Sequence, residues 1–249
     1  MATASTWQRP PDGVVVRPGE VHVWRARLSV GVSRVSELAG SLSPDELARA
    51  GAFRSAQDRA RFVVAHGVLR AVLGRCLCVE PVGLRFESGR YGKPRLAADS
   101  ADGLTFNMSH SRELGLFAVA RGREVGVDVE KVRPLACHQI AERFFSPAEA
   151  AALRDLPADR RLEAFFRGWT RKEASLKAAG QGRLVPLGRP EVAAPPKEAV
   201  APHGVAREGE ERQRWSVRDL RPGRGYVGAL AAEGEGWALR CWQWTERAR

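Results

Sequence analysis

The sequence predicts an α+β protein of two similar halves, residues 1–122 and 123–249, meeting near residue 122. Two observations carry this. The tetrapeptide Ser43-Pro44-Asp45-Glu46 returns as Ser146-Pro147-Ala148-Glu149. In both places the serine is a helix cap, the proline sits in the first turn and the glutamate closes a capping box. Each capped helix is then followed by a longer helical pattern, and that in turn by strand-like segments.

Taken in order, residues 1–20 form a lead-in broken by Pro10-Pro11 and Pro18-Gly19. Residues 21–28 alternate apolar and polar and read as a strand. The Ser43 helix runs to about Gly51. A longer helix from about Asp58 to Cys78 buries Phe62, Ala65, Leu69, Val72 and Leu73. A short strand is expected over 84–87, a turn-rich loop over 89–95, and a strand over 105–109 that His110-Ser111 ends. Residues 114–120 and 125–129 read as a hairpin closed by Arg121-Gly122-Arg123-Glu124. After the Ser146 helix comes a helix over 165–180, with Gly180 as its stop. Residues 186–214, rich in Pro, Ala, Gly and Glu, read as an extended insertion. Two or three strands close the chain over 215–242.

Composition narrows the function classes. Apolar residues make up 44% of the 249, and the mean hydropathy of -0.31 is that of a soluble protein. No apolar run approaches the roughly 20 residues of a membrane span, and residues 1–11 lack the pattern of a secretory signal. The expectation is a cytoplasmic protein. Cys76, Cys78, Cys137 and Cys241 contain no C-x-x-C pair and read as buried thiols in a reducing compartment. A net charge of +11 favours anionic partners. The basic residues are dispersed, however, without the aromatic interleaving of a single-strand nucleic-acid groove. Five of them are lysine and 35 arginine, a bias that makes each retained lysine mildly informative; three of the five fall in the motifs below and Lys131 directly follows another.

The chemistry gathers in two stretches. At the helical spacing of the 165–180 stretch, carried back one turn, Leu162, Phe166, Trp169, Glu173 and Leu176 share one face. Glu173 thus takes a position suited to an apolar residue, where an isolated carboxylate costs several kcal/mol unless a cation or donors meet it. An i,i+4 pair with Lys177 contributes only about 0.5 kcal/mol, so a metal ion or a cleft is the better explanation. In Gly126-Val127-Asp128-Val129-Glu130, strand alternation turns Val127 and Val129 to the core and sends Asp128 and Glu130 together to the other face. Taken alone, that pair also fits a solvated strand face. Three hard oxygen ligands from a strand and a helix suit Mg²⁺ completed by water and phosphate oxygens. Lys172 and Lys177 would then supply phosphate donors.

These motifs resemble the signature pair of the 4'-phosphopantetheinyl transferases, Gly-Val-Asp-Val-Glu at 126–130 and Trp-Thr-Arg-Lys-Glu-Ala-Ser-Leu-Lys at 169–177. The likeness continues through Tyr91-Gly92-Lys93-Pro94, the segment 106–111 and the segment 143–149. Chain length resembles the larger, surfactin-type branch. The resemblance implies a monomer of two halves related by a pseudo-twofold, with the active site in the cleft between them. It implies Mg²⁺-dependent transfer of the phosphopantetheine arm of coenzyme A to a serine of an apo acyl or peptidyl carrier protein, with release of adenosine 3',5'-bisphosphate. Carried over by position, Asp128, Glu130 and Glu173 resemble the Mg²⁺ ligands. Ser109 and His110 resemble the holders of the 3'-phosphate end. Tyr91, Gly92 and Lys93 resemble the adenine and phosphate loop, and Lys177 the pyrophosphate contact. Arg61, Arg49 and Arg54 fall in the basic helix region that binds the 3'-phosphate. Glu173, Lys177 and His110 form the catalytic set, with Glu173 the candidate base. Two other readings remain open: a Mg²⁺-dependent phosphodiesterase or nuclease using the same carboxylates, and a basic nucleic-acid-binding protein.

Overall fold

The computed structural model describes residues 6–89, 92–97, 102–180 and 215–245; the proposed insertion at 186–214, and Tyr91, lie outside them. Strand β1 (Glu20–Arg27) leads to helices α1 (Val32–Ala39), α2 (Pro44–Gly51) and α3 (Ala56–Leu77). Short strands β2 (Phe86–Ser88) and β3 (Pro94–Leu96) follow, then β4 (Leu104–Ser111) and β5 (Leu114–Arg121). The chain next runs through β6 (Val125–Lys131), α4 (Cys137–Phe144), α5 (Pro147–Asp155) and α6 (Ala158–Ala178). It ends with β7 (Trp215–Gly223), β8 (Tyr226–Glu233) and β9 (Ala238–Gln243).

The fold is α+β, and its two passages repeat one another. β1 and β6 are each followed by an eight-residue helix, a Ser-Pro-capped helix and a helix of 22 or 21 residues. In the first sheet β5 pairs antiparallel with both β1 and β4; in the second, β8 pairs antiparallel with both β6 and β7. One strand departs from a division by sequence, because β9 lies parallel to β1 and so returns to the first sheet.

Both capping boxes form, and each is tied inward by a cation on the long helix of its own half. Glu46 Oε2 accepts from the Ser43 backbone N–H at 2.8 Å and from Arg70 Nε at 2.8 Å, while His66 Nδ1 lies 3.2 Å from its other oxygen. Glu149 Oε2 accepts from the Ser146 N–H at 2.7 Å and pairs with Lys172 Nζ at 2.8 Å. Lys172 is 1% exposed. Its ammonium is therefore a buried clamp between α5 and α6, and this corrects its reading as a phosphate donor.

Other expectations also change. Residues 114–129 do not form a hairpin. β5 has both of its edges taken, by β1 and β4, and has none left for β6. The hairpin lies one strand earlier, where Arg112-Glu113 joins β4 to β5 with Arg112 at φ 55°. Helix α1 was not foreseen: its cap is Gly31, with no side-chain capping bond and no acidic residue in the first turn. The buried face of α6 is rotated from the expected one and comprises Phe165, Phe166, Thr170, Lys172, Ala174, Ser175, Leu176 and Ala178; Glu173 and Trp169 are half-buried. None of the four cysteines is in a disulfide, but Cys78 is exposed at the left-handed cap of α3 instead of buried as expected.

Two predictions follow from this packing. Gly126 lies under α6, and a Cβ there would fall well inside contact distance of the Ala174 carbonyl and the Ala178 amide. Gly126→Ala should thus cost roughly 1–3 kcal/mol or more by urea unfolding; an unchanged midpoint would contradict this contact. Burial drives the Glu46 carboxyl up, but hydrogen bonds from His66 and the Ser43 amide, and the Arg70 charge, hold it down to about 2. Its stabilising contribution is complete above the ordinary glutamate range and disappears as pH falls from about 4 towards 2. Glu46→Gln should therefore be less stable than the parent near neutrality by about 3 kcal/mol, and the gap should close on acidification. A gap that stays constant with pH would show that the charge contributes nothing.

Candidate active site

β4 and β6 are edge strands of different sheets, and they lie side by side without a backbone ladder. Facing edges of this kind leave peptide groups in need of partners. Here side chains meet that need. Asn107, Ser109 and Ser111 alternate along β4 and so share one of its faces. Asn107 Oδ1 accepts from the Val127 N–H at 2.9 Å. Ser109 Oγ donates to Asp128 Oδ1 at 2.7 Å, and Ser111 Oγ donates to Glu130 Oε2 at 2.7 Å while accepting from the Lys131 N–H at 3.1 Å. The seam between the halves is thus a row of polar side chains rather than a sheet.

Helix α6, brought close to β6 by Gly126, adds Lys177 and Glu173 to this row. Lys177 Nζ donates to Asp128 Oδ1 at 2.7 Å, to Ser109 Oγ at 3.0 Å and to the Val127 carbonyl at 3.4 Å. Asp128 is 5% exposed, and its Oδ2 is buried with no hydrogen-bond partner among the described residues. Leaving such an oxygen unsatisfied costs about 1–3 kcal/mol, more for a charged group. Burial lifts the Glu173 carboxyl above the usual range; the Asp128 charge adds to the lift, Lys177 opposes it, and Glu130 adds again. The carboxylates singled out in the sequence thus share one electrostatic field. Among the described residues no three His, Cys, Asp or Glu side chains converge closely enough to hold a metal ion unaided. The orphaned Oδ2 and the all-oxygen donor set nevertheless fit a hard divalent cation whose remaining ligands come from water or substrate.

Beside the far end of β6 is an open cleft of about 360 Å³. Asp58, Arg61 and Phe62 of α3 line one side, His110, Ser111 and Arg112 another, and Glu130 and Arg133 the third. Arg61 pairs with Asp58 at 3.2 Å, and its Nε is buried without a partner among the described residues. Partial loss of water, together with the nearby His66, Lys177 and Arg61 charges, holds the His110 imidazole below the usual histidine range even though its edge stays exposed. Such a ring is neutral near pH 7 and can accept a hydrogen bond or take up a proton.

The other expected residues are distributed unevenly. The Arg49 guanidinium lies over the Phe62 ring, 5.4 Å from its centre, just behind the cleft. Arg54 is exposed and outside the lining. Gly92 takes the left-handed φ of 79° that its turn needs. Lys93 is not in the cleft. It donates to Glu124 Oε2 at 2.6 Å, to the Val125 carbonyl at 2.9 Å and to the Ala178 carbonyl at 3.1 Å, at the opposite end of β6. Those bonds use all three ammonium protons. Ser109 is deep in the seam, bonded to Asp128 and Lys177, whereas His110 is at the cleft. No role had been read for Asn107, Ser111 or Arg112. The alternation of Asn107 and Ser111 with Ser109 was the available signal.

Comparison with known proteins identifies the family. The family model of the 4'-phosphopantetheinyl transferase superfamily matches residues 124–231. The 4'-phosphopantetheinyl transferase HetI of Nostoc sp. is 39% identical over 241 residues, covering 96% of this chain and 98% of its own. The 4'-phosphopantetheinyl transferase Sfp of Bacillus subtilis is 31% identical over 146 residues, covering 59% of this chain and 63% of its own. An apo-ACPS structure from Chronobacterium ammoiniagenes aligns with 45% of this chain and 95% of its own, with 22% identity and a TM-score of 0.37. With a relative so similar along nearly its whole length, and with the matched model spanning β6 and α6, the chain belongs to the 4'-phosphopantetheinyl transferase superfamily.

Proposed function

We propose that this transferase moves the phosphopantetheine arm of coenzyme A to a serine of an apo acyl or peptidyl carrier protein, releasing adenosine 3',5'-bisphosphate. We assign Mg²⁺ to the carboxylates of the seam, with Asp128, Glu130 and Glu173 as its protein ligands. The observation that supports this most is the buried, unpartnered Oδ2 of Asp128 near a Glu173 carboxyl whose affinity for protons is raised by burial first and by the Asp128 charge second. When bound, the ion neutralises charge on the pyrophosphate and steadies in-line geometry.

The chain's own groups account for the rest. Lys177, whose ammonium balances Asp128 in this structure, serves as donor to the pyrophosphate by exchanging its long 3.4 Å bond to the Val127 carbonyl. Arg61 and His110 in the cleft hold the 3'-phosphate, joined by Arg112 and Arg133; Arg49 and Arg54 add outer positive charge. Glu173 accepts the proton of the carrier serine at a carboxylate oxygen. The active site lies between two halves divided near residue 122, apart from β9. No helix among the described residues is long and apolar enough to cross a membrane. Four cysteines outside any disulfide support a reducing, cytoplasmic setting, and we read the working unit as a monomer.

The test is intact-mass analysis of a panel of acyl and peptidyl carrier proteins incubated with the chain, coenzyme A and Mg²⁺. The parent should add one phosphopantetheine arm to at least one carrier. Chelation should abolish this and Mg²⁺ restore it. Glu173→Gln should lower the rate about 100-fold or more with unchanged circular dichroism. No adduct on any carrier would overturn the carrier assignment, and nucleotide release without a carrier would favour a phosphodiesterase. A fully active Glu173→Gln would remove that residue from both its roles.

A further inference from the structure

Ser109 and Ser111 stand two residues apart on β4, and the carboxylates they bind, Asp128 and Glu130, stand two residues apart on β6. The direction of each hydroxyl is fixed. Ser111 Oγ accepts from the Lys131 N–H at 3.1 Å, so its single proton goes to Glu130 Oε2, 2.7 Å away. Ser109 Oγ accepts from Lys177 Nζ at 3.0 Å, so its proton goes to Asp128 Oδ1, 2.7 Å away. Each carboxylate is held by one oxygen, and the other is left available. Glu130 has a long, half-exposed side chain that would otherwise lose rotamer freedom on being fixed by a ligand. Arg133 also reaches Glu130 Oε2, at 3.3 Å, but it is an exposed and looser partner.

We infer that Ser111 is a positioning residue, which orients Glu130 for the divalent cation as Ser109 orients Asp128. The inference rests on the metal reading proposed above, and it concerns a residue outside the motif carboxylates. Hydrogen bonds to metal ligands from outside the coordination sphere typically account for 10- to 100-fold in metal affinity, because a ligand already held in place loses less freedom on binding.

The experiment compares Ser111→Val with Ser111→Thr in the full chain. Both side chains are β-branched and suit a strand, and only threonine keeps the hydroxyl. Free Mn²⁺ is measured by electron paramagnetic resonance during titration of each protein in the presence of coenzyme A, with thermal midpoints recorded alongside. Ser111→Val should bind Mn²⁺ about 10- to 100-fold more weakly than the parent, and Ser111→Thr should stay close to it, at similar midpoints. Parent-like binding by Ser111→Val would overturn the inference, and so would binding by Ser111→Thr as weak as that of the valine variant. A parent that binds no Mn²⁺ would instead sink the metal reading and this inference with it.

Discussion

Two sheet edges face each other along the middle of this protein, and most of what it does depends on how they are joined. A backbone ladder between β4 and β6 would have merged the sheets and used the peptide groups on themselves. Instead the join is made by Asn107, Ser109 and Ser111, whose side chains reach across to Val127, Asp128, Glu130 and Lys131. A polar seam in a protein interior is costly unless its members satisfy one another. Nearly all do here. The exception is Asp128 Oδ2, and it sits beside the residues the sequence had already marked as a cation site.

The repeated architecture supports the seam. In each half a Ser-Pro capping box holds a glutamate that is clamped by a cation from the long helix, Arg70 in the first half and Lys172 in the second. These pairs fix α3 and α6 relative to the shorter helices preceding them. α3 then presents Arg61 and Phe62 to the cleft, and α6 presents Glu173 and Lys177 to the carboxylates of β6. The close approach of α6 depends on the missing side chain at Gly126. Breaking a buried pair of this sort typically costs 3–5 kcal/mol, so the site's geometry and the stability of the fold rest on shared contacts.

What the letters disclosed and what they concealed follow a physical division. The caps at Ser43 and Ser146 were legible because cap chemistry is local, complete within four residues. The strand alternation that sends Asp128 and Glu130 to one side was legible for the same reason. Lys172 was misread because a buried ammonium is defined by its partner, and Glu149 lies 23 residues before it. The supposed hairpin after β5 failed on a non-local fact, since β1 had already taken the edge that β6 would have used. Helix α1 gave no cap signal to read. Ser111 looked like the end of a strand, and only the facing strand shows what its hydroxyl holds.

We propose that the seam is built to receive a divalent cation at Asp128 Oδ2. The most direct test is a crystal structure of the chain with coenzyme A and Mn²⁺, using the anomalous signal to locate the metal. The account predicts one peak at coordination distance from Asp128 Oδ2, roughly 2.0–2.3 Å, with Glu130 and Glu173 oxygens turned towards it. A peak elsewhere, or none with Oδ2 still unpartnered, would contradict it.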